Sequence, residues 1–388
     1  MKLRVAFAGG GTGGHIYPAL AIDDALRSDF APDDYEPRFF GNRNGFEATL
    51  VTDMPLTFVP SAALQRKLSW AMLRTLAVNT VGLFVALAAL ARFRPTMVIA
   101  TGGYVCVPVV VAARILRLFG VMKGAIALLE VNAQPGLATK LIAPLADEVW
   151  TAYPEAERFF GKKMVVTGTP TRASIARRSL PAIAREALDL DPVRTTIVVM
   201  GGSQGARVIN VAVAALVTRR SLPESWQVVH ISGERDYAYM QAEERELAPG
   251  NVVRLIPYLP DPANAYAAAD IVIARAGAST LAELAVTGTP SVLIPGTFAE
   301  GHQAANAAAF AERGAAVIVT DAELDGDFLW WTLRACLEPG RLAEMKSAAA
   351  QLVPGDAVAT IVGRVYDLIP ARVVDSSDPN EIARDSRD

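Results

Sequence analysis

The sequence predicts an α/β protein with two Rossmann-like domains, each built around a doubly wound parallel β-sheet. Short β-branched runs alternate with longer runs rich in alanine and leucine, which is typical of βαβ units. Two predicted strands, VAFA and IVVM, lead into the glycine-rich turns GGGTGGH and GGSQGAR, and 388 residues suffice for two domains. Such domains bind ligands at the carboxyl ends of their strands, so we expect a ligand in a cleft where the two domains face each other.

The strands and the domain limits follow from this alternation. The pattern lapses between Gly168 and Pro192, and a new strand then restarts it. We therefore expect an N-terminal domain over residues 1–168, a linker over 169–192 with a hinge at Gly168 to Arg172, a C-terminal domain over 193–369 and a disordered tail over 370–388. The predicted strands are residues 3–8, 97–100, 125–129, 164–167, 196–200, 227–231, 271–274 and 291–294.

Composition excludes several classes of protein. The chain carries 37 basic and 40 acidic side chains, a net charge of −3, so it lacks the basic excess of a generic nucleic-acid binder. Its two cysteines, Cys106 and Cys336, have no paired spacing and predict neither a disulfide framework nor a cysteine zinc site. The N-terminal residues MKLRVAFAGG predict a first strand rather than a signal peptide. Together these features favour the cytoplasm.

One apolar stretch, residues 75–91, has to be weighed as a membrane span. It carries no charge, but it contains Asn79 and Gly82 and is shorter than the ~20 apolar residues that a span needs, so we expect a buried helix. Basic residues interleave with apolar ones on either side of it. They are Arg66, Lys67, Arg74, Arg114, Arg117 and Lys123. Such segments suit either a membrane surface or core helices with solvated basic edges, and both interpretations stay open.

The glycine-rich turns predict phosphate binding. The turn over residues 9–14 satisfies G-x-G-x-x-G, yet the end of the second strand, RFFGNR, offers no acid for the ribose of a nicotinamide cofactor. Although a nicotinamide cofactor is not expected, the turn still predicts close approach of the backbone to an anion at a helix N-terminus, with a helix beginning at Tyr17 and Pro18. In the second turn, Ser203 adds a hydroxyl donor. We therefore expect one phosphorylated group in each domain.

The three histidines fall beside strand ends or glycines. His15 follows the first turn directly, which favours a role as a base or as a charge partner for phosphate. His230, inside the strand QVVHIS, is predicted to pack in the core. His302 either polarises a ligand or, with Gln303 and Asn306 on one helical face, binds sugar hydroxyls.

A third block, ARAGASTLAE, predicts a strand end, a glycine turn and a helix start. Ser279 is a candidate N-cap, and Glu283 one turn later is either a capping acid or a carboxylate for two vicinal ribose hydroxyls. Two D-x-D strings, at 189–191 and 325–327, lie away from the glycine turns, and we interpret them as solvated loops. We predict no metal ion and no cofactor.

Seven motifs appear in order: GGGTGGHIYPALAI, ATGGYVCVP, EVNAQPGL, VTGTPTR, GGSQGAR, ARAGASTLAEL and AEGHQAANA. From residue 5 to 367 the chain resembles the MurG family, bacterial peptidoglycan enzymes of the GT-B fold. The resemblance implies transfer of N-acetylglucosamine from UDP-N-acetylglucosamine to the muramyl 4-hydroxyl of lipid I, an undecaprenyl-diphosphate, with inversion, giving lipid II. It also implies a peripheral enzyme on the cytoplasmic face of the cell membrane, with the acceptor bound by the N-terminal domain.

The resemblance also implies site residues. Thr12, Gly13 and Gly14 would approach the acceptor diphosphate or the donor sugar, and His15 is the candidate base or a contact to the lipid diphosphate. Contacts to the donor would come from the following residues: Asn132, Arg172, Ser203, Leu259 through its backbone to uracil, Ala278, Ser279, Thr280, Leu281, Ala282, Glu283 and Gln303.

The chain also departs from the family pattern, with Leu129 and Val131 in place of a histidine and a glutamine and with Cys106-Val107 after Tyr-Val. Both departures lie in the first domain and bear on the acceptor. Two alternatives therefore stay open: a GT-B glycosyltransferase that acts on another membrane lipid, and a non-catalytic nucleotide-sugar-binding scaffold.

Overall fold

The chain forms two compact units in the computed structural model. The structure describes residues 2–43, 45–63, 70–177, 179–202, 205–243, 246–297, 301–352 and 355–369. Unit 1 comprises Met1–Pro170 together with the residues from Gly355 onward, and unit 2 comprises Thr171–Pro354.

Unit 1 contains a parallel sheet. Its strands are β1 (Leu3–Gly9), β2 (Tyr35–Gly41), β3 (Leu56–Phe58), β4 (Met97–Gly102), β5 (Ala125–Glu130), β6 (Glu148–Thr151) and β7 (Met164–Val166). They lie in the order β3-β2-β1-β4-β5-β6-β7, and Val5 of β1 pairs with Pro37 of β2 and Met97 of β4. The order reverses between β1 and β4, so the loops after these two strands flank the switch point where α/β sheets bind ligands.

Helices cover this sheet. They are α1 (Gly13–Asp29), α2 (Glu47–Leu50), α3 (Trp70–Phe93), α4 (Cys106–Leu118), α5 (Leu137–Ile142) and α6 (Glu157–Phe160). Ala86 and Leu90 of α3 lie in one hydrophobic core with Val109 of α4 and Val98 of β4, and all four side chains are fully buried. Burying these apolar faces is the main stabilising contribution to such a layered fold.

Helix α3 is only partly the buried helix that the sequence predicts. By length and composition Met72–Phe93 could cross a membrane, although core helices of soluble proteins pass the same test. The α3 stripe, which we define as Trp70, Leu73, Leu76, Val81 and Phe84, is exposed along one face. The amide of Asn79 bonds both the N–H and the C=O of Ala62 at 3.1 Å. Asn79 thus anchors one side of α3 to Ala62, while the solvent-exposed side of the helix is apolar.

Unit 2 contains a second parallel sheet. Its strands are β8 (Thr195–Met200), β9 (Trp226–Ile231), β10 (Val253–Ile256), β11 (Ile271–Ala274), β12 (Ser291–Leu293) and β13 (Ala316–Ile318), in the order β10-β9-β8-β11-β12-β13. Ile197 of β8 pairs with Val228 of β9 and Ile271 of β11. The switch point therefore lies between β8 and β11, which lead into GGSQGAR and ARAGAS.

The helices of unit 2 enclose two hydrophobic clusters, which contain buried residues from alternate positions of the strands. They are α7 (Ala173–Ala176), α8 (Pro181–Glu186), α9 (Arg207–Arg219), α10 (Glu234–Glu243), α11 (Ala263–Ala268), α12 (Ala278–Thr287), α13 (His302–Ala311), α14 (Gly326–Cys336) and α15 (Pro339–Ala350).

The segment predicted as a linker is largely part of unit 2. The boundary lies at Pro170/Thr171, within the predicted hinge, but α7 and α8 pack into the unit: Ile175 and Ala184 are buried. Arg185 is also buried and forms a 2.8 Å ion pair with Asp270. The proline, arginine and serine content of this segment indicates irregular structure, but it does not reveal these contacts.

The last described helix, α16 (Ala357–Leu368), belongs to unit 1, whereas the sequence places it in the C-terminal domain. Arg364 forms an ion pair with Glu148 of β6. Tyr366 stacks on Phe30 with ring centroids 5.6 Å apart, and its hydroxyl donates to Asp29 at 3.3 Å. The periodicity of this helix predicts a buried face but not which sheet that face covers. The predicted tail, 370–388, lies outside the described residues.

Candidate active site

The first glycine loop connects β1 to α1. Gly11 has a φ of +86°, and Thr12 is the extended N-cap of α1, although its exposed side chain makes no capping hydrogen bond. Gly13 and Gly14 occupy the first turn of the helix, which contains no acidic residue. The backbone N–H groups in the first turn of a helix favour negative ligands.

His15 is held in one orientation by the loop after β4. Its Nδ1 lies 3.1 Å from the carbonyl oxygen of Thr101, and the Thr101 hydroxyl donates to the His15 carbonyl at 2.5 Å. Because a carbonyl oxygen only accepts, Nδ1 must carry the proton, and Nε2 is the nitrogen that can take up another. A Cβ at Gly102, where φ is +117°, would lie 2.3 Å from Nδ1, so the ring requires glycine there.

Asn132 is positioned by a buried carboxylate that the sequence analysis did not single out. Oε1 of Glu130 accepts from the Asn132 backbone N–H and side-chain amide, both at 3.0 Å, and Oε2 accepts from the N–H of Gly136 at 3.2 Å. Glu130 is 3% exposed. It therefore fixes the turn that carries Asn132 at the end of β5.

The departures from the family pattern are buried. Leu129, Val131 and Cys106 are each at most 2% exposed, and Val107 packs against the core of unit 1. The Cys106 thiol donates to the carbonyls of Ala8 and Gly102, and burial raises its pKa to about 12. These side chains therefore act through packing, and the Cys106 thiol is unreactive at neutral pH.

The second glycine loop joins β8 to α9. Gly202 and Gly205 have φ values of +89° and +72°, and the extended residue Ala206 is the N-cap of α9. A Cβ at Gly205 would lie 2.2 Å from the carbonyl oxygen of Ser232, so this loop packs closely against the end of β9. Ser203, the predicted phosphate contact, lies outside the described residues.

His230 is buried beneath this loop, which confirms its predicted packing role. Its Nε2 lies 2.9 Å from Oδ1 of Asn210, whose amide nitrogen donates to Asp236 at 3.0 Å and to the Ser232 carbonyl at 2.9 Å. Burial lowers the pKa of His230 to about 4. The imidazole is therefore neutral at physiological pH and serves as a structural hydrogen-bonding group.

The start of α12 corrects the capping prediction. Gly277, with extended backbone, is the N-cap, and Ser279 is the second residue of the helix. Since Ser279 makes no capping bond, its hydroxyl is available to another partner: Oγ is buried and has no hydrogen-bond partner among the described residues. A hydroxyl placed this way beside a helix N-terminus suits a phosphate oxygen.

Glu283, Arg172 and the residue after Leu259 meet in unit 2. Arg172 donates to Glu283 Oε1 at 3.1 Å and to the carbonyl of Pro260 at 2.8 Å. The hydroxyl of Tyr266, a residue that no sequence motif singles out, donates to Oε2 at 2.8 Å. Burial raises the pKa of Glu283, and Arg172 partly opposes this shift. Each carboxylate oxygen can accept a further hydrogen bond, so the group can still hold ribose hydroxyls.

Helix α13 of unit 2 carries two amide side chains, those of Gln303 and Asn306. Oε1 of Gln303 accepts from the backbone N–H of Gly296 at 2.8 Å, which leaves its NH₂ group as the donating end. Asn306 is buried and donates to the carbonyl of Ala276 at 3.5 Å. Nδ1 of His302 is buried without a hydrogen-bond partner among the described residues.

The carboxylates of the two D-x-D strings have structural partners. Asp189 pairs with Arg254 at 3.0 Å and Asp327 with Arg220 at 2.6 Å, while Asp191 accepts from the N–H of Val193 and Asp325 caps α14. Within the described part of the chain, no group of three or more histidine, cysteine or acidic side chains could hold a metal ion.

Two family models cover most of the chain. Residues 5–151 match the glycosyltransferase family 28 N-terminal domain and residues 196–360 match its C-terminal domain. Two relatives carry the name UDP-N-acetylglucosamine--N-acetylmuramyl-(pentapeptide) pyrophosphoryl-undecaprenol N-acetylglucosamine transferase. The relative from Desulforamulus reducens is 36% identical over 95% of this chain and 99% of its own length, and that from Moorella thermoacetica is 39% identical over 93% and 97%. The chain belongs to the MurG family.

Solved structures agree with this MurG assignment. The crystal structure of Acinetobacter baumannii MurG is similar with a TM-score of 0.73, at 24% identity, and covers 95% of this chain and 100% of its own. The glycosyltransferase of kitacinnamycin is similar with a TM-score of 0.68, at 16% identity, and covers 95% and 100%. The predicted two-domain GT-B fold is therefore confirmed. The family models and the relatives at 36–39% identity show that the protein is a glycosyltransferase.

In this MurG-family chain, the predicted site residues divide between the units. Thr12 to His15 and Asn132 belong to unit 1, where Thr101 orients His15 and Glu130 orients Asn132. The predicted donor contacts that are described, apart from Asn132, belong to unit 2. They are Arg172, Leu259, the residues Ala278 to Glu283, and Gln303. Thr101 and Glu130 lie within the motifs ATGGYVCVP and EVNAQPGL but were not singled out as site residues, and Tyr266 lies outside all seven motifs. The contacts of Thr101 with His15 and of Tyr266 with Glu283 are tertiary, so the motifs alone do not reveal them.

Proposed function

We propose that this protein transfers N-acetylglucosamine from UDP-N-acetylglucosamine to the muramyl 4-hydroxyl of lipid I, with inversion at the anomeric carbon, and so forms lipid II. Relatives that are 36–39% identical over nearly their whole length carry a name that describes this transfer. The observation in this chain that best supports it is on one helix of unit 2. There the buried carboxylate Glu283 lies one turn after the Ser279 hydroxyl, which has no hydrogen-bond partner in the described part of the chain.

The donor site belongs to unit 2 in this proposal. The α12 N-terminus and Ser279 would bind a phosphate of UDP, Glu283 would bind the two ribose hydroxyls, and the backbone of Leu259 would pair with uracil. Gln303 would bind hydroxyls of the sugar through its amide donors. Helix ends and N–H donors stabilise the negative charge that develops on UDP as it departs.

The acceptor is activated by unit 1 in this proposal. Nε2 of His15 takes the proton of the muramyl 4-hydroxyl while that oxygen forms a bond to the anomeric carbon and the bond from that carbon to UDP breaks. UDP leaves with the bonding electron pair, and the proton stays on the imidazole until it passes to solvent. Thr101 contributes by keeping the other ring nitrogen protonated.

Membrane attachment would use the exposed apolar face of α3. Trp70 is 87% exposed and Phe84 is 65% exposed on the α3 stripe, and the exposed Arg74 lies beside it. An apolar stripe with adjacent basic residues binds the interface of anionic membranes. This supports a peripheral enzyme on the cytoplasmic face, where the lipid-linked acceptor is embedded. Arg66 and Lys67 lie outside the described residues.

The direct test is UDP release from purified protein supplied with UDP-N-acetylglucosamine and a short-chain lipid I analogue. Turnover by the wild type, with a raised donor KM in Glu283→Ala and a lowered kcat in His15→Ala, is the expected result. Donor binding without UDP release, when the same acceptor is converted by a known lipid II synthase in the same buffer, would contradict the proposed reaction.

A further inference from the structure

A carboxylate of the chain itself occupies the first glycine loop. Glu47, the first residue of α2, is fully buried, and its Oε1 accepts from the backbone N–H groups of Gly11 at 3.2 Å and Asn42 at 3.0 Å. In a G-x-G-x-x-G loop the second glycine lets the backbone approach a pyrophosphate. Gly11 is that glycine, so the N–H that would bind a phosphate oxygen already has an acceptor.

Three glycines form the space that this side chain fills. A Cβ at Gly10 would lie 1.9 Å from Oε1 of Glu47, a Cβ at Gly45 would lie 1.8 Å from Oε2, and a Cβ at Gly41 would lie 2.8 Å from Cγ. Oε2 is itself buried and has no hydrogen-bond partner among the described residues. A phosphate brought to Gly11 would therefore meet an uncompensated carboxylate oxygen and no room.

The second glycine loop differs in this respect. Among its described residues Gly201, Gly202, Gly205 and Ala206, none donates a backbone N–H to a carboxylate, and the first turn of α9 holds no acid. The nearby Asp236 bonds instead to side chains, those of Asn210, Arg207 and Arg235. The two loops resemble each other in sequence, but a bound carboxylate is present in the first and absent from the described part of the second.

We propose that Glu47 is a specificity-determining residue that closes the first glycine loop to nucleotide diphosphates, so that UDP binds in unit 2 alone. The assignment of UDP to unit 2 rests on the proposed function, whereas the closure of the loop rests on the contacts of Glu47. In Glu47→Ala the Gly11 N–H loses its acceptor and the charge is gone. In Glu47→Gln the amide oxygen still accepts from Gly11, but the charge is removed.

Calorimetry with inorganic pyrophosphate tests this proposal. Pyrophosphate is titrated into protein saturated with UDP, which blocks unit 2, at low ionic strength. We expect Glu47→Ala to bind it at least about tenfold more tightly than the wild type and Glu47→Gln about threefold more tightly. Asp23→Asn is the matched control: Asp23 is a buried acid of the same unit that accepts from Tyr35 and Arg27. Its pyrophosphate affinity should equal that of the wild type.

Equal pyrophosphate affinity in the wild type and a folded Glu47→Ala would overturn the proposal. If circular dichroism shows that Glu47→Ala does not fold, the test rests on Glu47→Gln. A pyrophosphate affinity of Glu47→Gln equal to that of the wild type would then also overturn the proposal. A prior UDP titration of the wild type separates this result from the proposed function. If UDP does not bind, the donor assignment fails, while the pyrophosphate comparison without UDP still decides the role of Glu47.

Discussion

Arg172 and Glu283 are 111 residues apart in the chain, and their side chains form a 3.1 Å ion pair in which the carboxylate is almost fully buried. The hydroxyl of Tyr266 donates to the other carboxylate oxygen. Removing one partner of a buried pair leaves an uncompensated charge, so the pair acts as a unit. Burial raises the pKa of Glu283, and Arg172 opposes this rise by stabilising the ionised carboxylate.

Replacing Arg172 by alanine should therefore shift a pH profile. Burial already raises the pKa of Glu283, and removal of the guanidinium raises it further. The carboxylate therefore becomes protonated at a higher pH in the variant than in the wild type. We expect the acid limb of kcat/KM for UDP-N-acetylglucosamine to move to higher pH, with a loss of about 10- to 100-fold near pH 7. Arg185→Ala, which breaks the buried pair with Asp270, should lower stability and leave that limb in place. An unshifted limb in Arg172→Ala would exclude this coupling.

Ser279→Ala should weaken donor binding without destabilising the protein. Since the buried hydroxyl has no partner among the described residues, its removal should change the free energy of unfolding by less than about 0.5 kcal/mol. Loss of one hydrogen bond to a phosphate should raise the donor KM about tenfold. Ser291→Ala is the matched control. Ser291 Oγ is also buried without a hydrogen-bond partner in the described ranges, but it lies at the start of β12. The same KM in both variants would argue against a phosphate contact at Ser279.

Gly102→Ala should impair turnover by displacing His15. The new Cβ would lie 2.3 Å from Nδ1 of the ring, and a displacement of about 1 Å in a catalytic group can cost ~100-fold in rate. We expect kcat to fall by that order while the donor KM stays within about twofold of the wild type. Gly120→Ala controls for backbone strain, since Gly120 also has a positive φ but faces open space. Full kcat in a folded Gly102→Ala would show that the orientation of His15 is not needed.

His230 should make the stability of the protein depend on pH. Its pKa is about 4 when folded and near 6.5 when unfolded, so between these values the unfolded chain binds a proton that the native state does not. The contribution to the free energy of unfolding is complete above about pH 6.5 and is lost as the pH falls towards 4, about 3 kcal/mol in all. His230→Gln, which can still donate to Asn210, should remove about 2 kcal/mol of the difference between pH 5 and pH 7 in urea unfolding. An unchanged difference would mean that other groups set the acid sensitivity.

The α3 stripe should govern binding to anionic vesicles. Phe84→Glu places a charge in the stripe, and co-sedimentation with phosphatidylglycerol vesicles should fall about tenfold. Val193→Glu is the control, because Val193 of unit 2 is 85% exposed and lies outside the stripe. Equal sedimentation of both variants would show that another surface binds the membrane.

Sequence patterns predict the interior of each sheet better than its edges. All eight predicted strands are present, with ends that differ by one or two residues, because long β-branched runs between glycine turns specify buried parallel strands. The prediction omits β3, β6, β10 and β13 and names β2 only by its end, RFFGNR. Of the omitted strands, β3, β10 and β13 are edge strands of three or four residues, and β6 is a four-residue strand beside the edge strand β7. The glycine loops and Glu283 are likewise visible as local motifs. The roles of Glu47 and Tyr266 are not visible as local motifs, because Gly11 and Glu283, their respective partners in the two sites, are remote in sequence and no spacing rule connects them.

The route of α16 has a consequence for biosynthesis. Because this helix packs on Phe30 and Glu148 of unit 1, the ribosome must translate all of unit 2 before the first unit receives its last element. During that interval the nascent chain exposes apolar surface around Phe30 that the finished protein covers. The unit that begins first can thus be completed only after the second unit has been translated.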